Sequence, residues 1–189
     1  MVAIGLGNPG EQYARTRHNV GAEAVEALVR RGGAELRRER GIHARAATVR
    51  VEDRSLLAAV PETYMNESGL AARPLVRRAG LEGALERVVV VHDELDLPVG
   101  TIRIKRGGGI AGHNGLRSVQ SHLHSPDFLR VRIGIGRPPG KMAGADYVLR
   151  RPSSTERELL DVAVERAADA IEAIARCGVD QAMSEWNQR

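Results

Sequence analysis

The sequence predicts an α/β fold: a single domain with a twisted, mixed β-sheet flanked by helices. Three observations lead there. Short apolar runs, the clearest being Val88-Val89-Val90-Val91, read as buried strands. They interleave with amphipathic helical stretches from one end of the chain to the other, with no linker, repeat or low-complexity tract between. The 189 residues suit one well-buried core, so a single domain over 1–189 is expected.

Taken in order, Val2 to Leu6 is a short buried strand that stops at a Gly/Pro turn. Val20, Ala24, Val25, Leu28 and Val29 fall at helical spacing, and Gly32-Gly33 ends that helix near Arg31. Ala44 to Val51 and Ser55 to Val60 form a hairpin around Glu52-Asp53-Arg54. A loop over Pro61 to Ser68 leads to a helix over Ser68 to Ala79, which Pro74 shortens or kinks. Arg87 to His92 is a buried strand with Asp93 at its end, and Thr101 to Lys105 is another strand. Gly107 to Ala111 is a glycine loop, Gly115 to Leu123 a helix and Val131 to Ile135 a further strand. Ser153-Ser154-Thr155-Glu156 starts a long amphipathic helix to about Arg176, and a short helix follows Gly178.

Aromatic residues are only 3%, so the core is built from Leu, Val, Ile and Ala, and broad binding of single strands by base stacking is disfavoured. No apolar run is long enough to span a bilayer and no signal peptide precedes the first strand, so a cytoplasmic protein without membrane attachment is expected. Cys177 is the only cysteine, which excludes an internal disulfide and fits a reducing compartment. The net charge is +4 and almost all of the basic side is arginine, Lys105 and Lys141 being the only lysines. Most of these cations solvate the surface. Those near the motifs, Arg15, Arg17, Arg103, Lys105, Arg106, Arg130, Arg132 and Arg137, point to a polyanionic partner, because the guanidinium fork matches phosphate.

Gly5-x-Gly7-x-x-Gly10 matches the dinucleotide fingerprint in letters. The third glycine of that fingerprint opens a helix, whereas here an extended loop through Glu11-Gln12-Tyr13 follows. Gly5 and Gly7 are better read as letting the backbone pass close to a ligand, with Asn8 aimed into the site. His18 lies on a loop after the first strand, where α/β proteins place ligands, and its imidazole is partly neutral near pH 7. Asp93 is either a turn residue or the carboxylate that orients His18. A metal site using Asp93, Glu94, Asp96, His92 and His113 is disfavoured, because the spacing matches no standard pattern and carboxamides surround it. Asn8, Asn66 and Asn114 sit beside strand ends or glycine turns; each serves equally well as a cap or as a site residue, and together they can converge. With no G-x-S-x-G elbow and Cys177 remote from every motif, the nucleophile is water acting on an ester or amide.

The ordered set Gly5-Leu6-Gly7-Asn8-Pro9-Gly10, Thr16-Arg17-His18-Asn19-Val20-Gly21, Thr63-Tyr64-Met65-Asn66, His92-Asp93-Glu94-Leu95-Asp96-Leu97-Pro98, Gly107 to Leu116 and Arg132 to Pro138 resembles bacterial-type peptidyl-tRNA hydrolase. The resemblance runs from Val2 to about Leu149. It implies a monomeric, metal-free and cofactor-free domain of the phosphorylase/hydrolase-like kind. The implied reaction is hydrolysis of the ester joining a peptide to the 3′ ribose of tRNA, which recycles tRNA from aborted translation. It implies that His18 activates water, that Asp93 orients His18, and that Asn66 and Asn114 hold peptide, ribose end and water. Asn8 would tell a blocked amino terminus from a free amine, Tyr13 and Tyr64 would contact the tRNA end, and Lys105 and Arg132 would clamp the 5′ phosphate. Two stretches depart from the pattern. Leu123-His124-Ser125 lacks the usual glycine after the leucine, and Arg150-Arg151-Pro152 stands where an apolar residue is common. A dinucleotide enzyme and a non-hydrolytic RNA-binding module are the competing readings.

Overall fold

A computed structural model describes residues 1–188. Seven strands form one mixed sheet in the order β2-β3-β4-β1-β5-β7-β6. These are β1 (Val2–Gly5), β2 (Arg37–Glu39), β3 (Ala44–Val51), β4 (Arg54–Pro61), β5 (Val88–Glu94), β6 (Ile102–Arg106) and β7 (Leu129–Gly134). β1 runs parallel to β4 and β5, and β5 parallel to β7, while β2, β3 and β6 pair antiparallel with their neighbours. Helices α1 (Val20–Arg31), α5 (Ser154–Cys177) and α6 (Val179–Trp186) cover one face; α2 (Gly69–Arg78) and α3 (Asn114–Leu123) cover the other. A short α4 (Gly144–Val148) lies beyond the ends of the strands.

Each layer follows from its residues. β5 is buried at every position because it has parallel neighbours on both edges and helices on both faces. α1 turns Ala24, Val25 and Leu28 to the core, as their spacing predicts. α5 begins with a capping box, Ser153 accepting from the Glu156 N–H while the Glu156 side chain accepts from the Ser153 N–H. Pro74 does not interrupt α2: the carbonyl that loses its donor belongs to Leu70, on the exposed side.

The differences from the expected elements have simple causes. β2 is Arg-Arg-Glu, with no apolar alternation to announce it; pairing with β3 makes it a strand. β4 extends to Pro61, and residues Met65–Glu67 form a 3-10 turn in what was expected to be loop. α4 is too short to show a period. β5 runs on to Glu94, so Asp93 is a strand residue rather than a turn residue, held in register opposite Ile133.

Chain direction places the site. From β1 the sheet grows to one side with β4 and to the other with β5, and ligands gather in the crevice at such a point. Gly21 lets α1 settle there: a Cβ on it would lie 2.2 Å from the Val91 carbonyl oxygen. Gly5 and Gly7 serve the same packing. A Cβ on Gly5 would strike the Gly21 oxygen at 2.4 Å, and one on Gly7 the Ala22 side chain at 2.9 Å. Their smallness admits a helix, and Gly7 also lines a cavity beside Asn8.

Candidate active site

His18 sits in the 3-10 turn Arg17–Asn19, between β1 and α1, and is buried. The close seating of α1 brings that turn over the end of β5, where the Asp93 side chain meets it. His18 Nδ1–H donates to the Asp93 carboxylate, 2.9 Å from Oδ1 and 3.0 Å from Oδ2. The other ring nitrogen, Nε2, then carries the lone pair. A second imidazole joins from the turn before α3. The Leu116 N–H donates to His113 Nδ1 at 3.3 Å, so His113 carries its proton on Nε2 and donates to Asp93 Oδ1 at 2.9 Å. The two imidazole rings lie 5.0 Å apart.

The charges follow from this geometry. Burial pushes the Asp93 carboxyl up, but the His18 and His113 imidazoles outweigh it and hold the carboxyl well below its usual value. Burial opposes a charged His18, yet the Asp93 charge and hydrogen bond leave its pKa raised. His92, one residue back on β5, is buried, donates from Nδ1 to the Asp93 carbonyl oxygen at 2.7 Å, and is pushed down to about 3, chiefly by burial. It therefore stays neutral through the physiological range. Ligand atoms of His18, Asp93 and His113 lie within 4.8 Å of one another, close enough to hold a cation, although here both imidazoles spend those nitrogens on the carboxylate.

These groups line a cleft of about 320 Å³, walled by the glycine loop Gly109–Gly112, by Leu95 and by Gly144, Ala145 and Val148 of α4. Asn114 lines it too, and its Oδ1 accepts from Arg117 at 3.2 Å, which leaves its amide hydrogens as donors. Asn8 and Asn66 do not line this cleft. Asn8 Oδ1 accepts from the Met65 N–H at 2.8 Å, and Asn8 borders a separate cavity of about 940 Å³ between α1, α5 and β3–β4. Asn66 is exposed in the next turn. Tyr13 and Tyr64 meet edge to face, centroids 6.4 Å apart, with Tyr64 largely exposed.

Lys105 and Arg132 project from neighbouring strands on one face; Lys105 pairs in register with Arg130, two residues from Arg132. Lys105 is exposed and makes no ion pair among the described residues. Arg132 holds Glu94 at 3.0 Å. Several other arginines named from the sequence are committed elsewhere. Arg15 pairs with Asp161, Arg106 with Asp180 and Arg137 with Asp96. Arg130 is buried on the Phe128 ring and donates to the Gly108 and Gly109 carbonyls. Arg17 is buried and bonded to protein carbonyls and Glu156.

A family model described as peptidyl-tRNA hydrolase matches residues 2–189. The chain belongs to the peptidyl-tRNA hydrolase family. A peptidyl-tRNA hydrolase of Rhodococcus erythropolis is 48% identical over 183 residues, covering 97% of this chain and 95% of the relative. One from Syntrophotalea carbinolica is 45% identical over 190 residues, covering 100% and 97%. The crystal structure of peptidyl-tRNA hydrolase from Acinetobacter baumannii superposes with a TM-score of 0.91 at 39% identity, over 98% of this chain and 93% of that one. Within this family fold the motif residues His18 and Asp93 stand in direct contact. The sequence offered His113 as part of Gly112-His113-Asn114-Gly115 and as a ligand of a disfavoured metal site, not as a hydrogen-bond partner of Asp93. Its bond to Asp93 depends on a turn geometry, with Ala111 and Gly112 at positive φ, that no periodicity announces.

Proposed function

We propose that this chain hydrolyses the ester between an N-blocked peptide and the 3′ ribose of tRNA, acting as one domain, as a monomer and in the cytoplasm. The observation that carries the reading is the bond of 2.9 Å from His18 Nδ1 to a buried Asp93 inside a cleft. Family membership supports the substrate. Among the described residues no helix is long and apolar enough to cross a membrane.

The chemistry runs through His18 Nε2. A water held beside the ester carbonyl gives its proton to Nε2 as its oxygen attacks the carbonyl carbon. Asp93 keeps the other ring proton in place and stabilises the imidazolium that forms. Asn114 turns its amide hydrogens toward the carbonyl oxygen as charge builds there, and one such donor contributes on the order of 3 kcal/mol. Collapse of the intermediate expels the ribose 3′ oxygen, which takes the proton back from Nε2. The products are a peptide with a free carboxyl group and an intact tRNA.

Asn8 and Asn66 act at the far side of the Gly5–Gly10 loop. Asn8 fastens the Met65–Glu67 turn to that loop, and so sets where Asn66, Tyr13 and Tyr64 meet the peptide and the acceptor end. Lys105 and Arg132 take the 5′ phosphate, with Arg132 shared between Glu94 and the incoming anion.

The test is an assay with N-acetyl-aminoacyl-tRNA beside the free-amine aminoacyl-tRNA. The wild-type chain releases tRNA from the first and spares the second. His18→Ala still binds tRNA and loses about 100- to 10,000-fold in turnover, the range for a general base. Near-normal turnover in that variant, or saturable binding of tRNA with no release by the wild type, rejects this function.

A further inference from the structure

Arg17 precedes His18 in the same turn, and the polyanion role that its charge suggests does not fit its position. Its side chain is 7% exposed. One terminal nitrogen lies 3.1 Å from the Arg150 carbonyl oxygen and 3.4 Å from those of Tyr147 and Arg151. The other donates to Glu156 at 2.9 Å. The guanidinium carbon Cζ sits over the Tyr147 ring, 4.1 Å from its centroid. The Arg17 backbone N–H also donates to the Arg150 carbonyl, at 3.4 Å.

Every one of these partners belongs to α4, to the first turn of α5 or to the segment between them. Tyr147 lies in α4, Arg150 and Arg151 follow it, and Glu156 is in the first turn of α5. The last carbonyls of a short helix lack partners within it; the Tyr147 carbonyl accepts from the Arg150 N–H at 3.2 Å, and the buried guanidinium gathers it with the Arg150 and Arg151 carbonyls. Glu156 is anchored in turn by the Ser153 N–H and hydroxyl, and the Tyr147 hydroxyl by the Ile135 carbonyl. The same α4 supplies Gly144, Ala145 and Val148 to the wall of the cleft that His18 lines. Arg17 is thus the covalent neighbour of the base on one side and the fastening of the opposing wall on the other.

We propose that Arg17 is a positioning residue: by clasping the α4–α5 junction to the turn that carries His18, it sets the gap between the imidazole and the α4 wall, where the peptide end of the substrate lies. The proposal rests on His18 being the base. A backbone helix end and a base linked by one side chain keep their spacing as a unit. Without the clasp each moves by its own loop, and a misplacement of about 1 Å at a reacting centre costs up to about 100-fold.

The test uses Arg17→Lys, which keeps the charge beside Glu156 but cannot reach several carbonyls and stack on Tyr147 as a planar fork does. Measured on N-acetyl-aminoacyl-tRNA, its kcat/KM falls about 10- to 100-fold, with kcat reduced and KM raised. Affinity for deacylated tRNA stays at the wild-type value. The charged and titratable groups against His18 are Asp93 from β5 and His113 from the turn before α3. Loosening the turn weakens the bond to Asp93, so the acid limb of the rate profile moves to lower pH. Glu156→Gln removes only the ionic arm and gives the same changes at smaller size; it carries the test if Arg17→Lys does not fold. A folded Arg17→Lys with lowered thermal stability but unchanged kcat, KM and acid limb makes Arg17 a brace of the fold only, and overturns the proposal. So does a loss of affinity for deacylated tRNA, which would make it a tRNA contact. Failure of the base assignment shows separately, in His18→Ala on the wild-type Arg17 background.

Discussion

Asp93 on β5 is 3% exposed and receives hydrogen bonds from two imidazoles, whereas Lys105, two strands away on β6, is exposed and has no ion pair among the described residues. The two carry opposite charges under opposite rules. A buried charge is weakly screened, so Asp93 sets the protonation of its neighbours strongly and at any salt concentration. An exposed ammonium is screened by salt and contributes mainly by attracting phosphate and releasing its counterions. The cleft should therefore respond to pH and the β6–β7 strip to ionic strength, and variants can separate the two.

The largest effect is expected from Asp93→Asn. An amide can present either its oxygen or its nitrogen to His18, so the proton-accepting tautomer is no longer enforced, and kcat falls about 100-fold. The pH profile gives the sign. As the proposed base, His18 must be neutral to act, and Asp93 outweighs burial to hold its pKa up, so the wild-type acid limb is expected above the ordinary histidine value of about 6.5. Removing the carboxylate leaves only burial, which lowers the pKa, and the limb moves to lower pH. An unmoved limb would detach Asp93 from the base.

A smaller effect, confined to binding, follows for Lys105→Ala. KM rises about tenfold, equivalent to about 1.4 kcal/mol, with kcat unchanged. The slope of log affinity against log salt becomes shallower by about one phosphate contact. A fall in kcat at saturating substrate would place Lys105 in the chemistry and erase the contrast.

The smallest effect lies outside both regions. His124 closes α3 in a left-handed conformation, φ 55° and ψ 24°, which glycine adopts without a steric penalty. His124→Gly removes that strain and raises stability by about 1 kcal/mol, read as a higher midpoint in urea, with kinetic constants unchanged. A lower midpoint would mean that the imidazole makes compensating contacts.

Much of the molecule was legible in the residues. The Val88–Val91 run marked the central strand, the spacing in Val20–Arg31 marked α1, and Ser153–Glu156 marked the start of α5. What escaped was structure made by partners: β2 exists because β3 offers an edge, and the short α4 has its end held by Arg17. In the site, His18 and Asp93 stood out through their motifs. The convergence expected of three asparagines holds in the cleft only for Asn114. Asn8 satisfies its carbonyl oxygen on the backbone of Met65 instead, a bond between residues 57 apart. The arginines show the limit most clearly. Equal letters in a basic sequence become an exposed ion pair at Arg15, a carbonyl clasp at Arg17 and a partner of Glu94 at Arg132.

Periodicity, turn residues and ordered motifs were enough to fix the α/β class and the central strands and to single out His18 and Asp93 as partners, because these depend on local spacing and on side-chain chemistry. Which groups touch Asp93, which cations remain free for phosphate and what closes the cleft were decided by the packed molecule. Burial and hydrogen bonding there join residues such as Arg17 and Glu156, 139 positions apart, and contacts at that separation leave no periodic trace along a single chain.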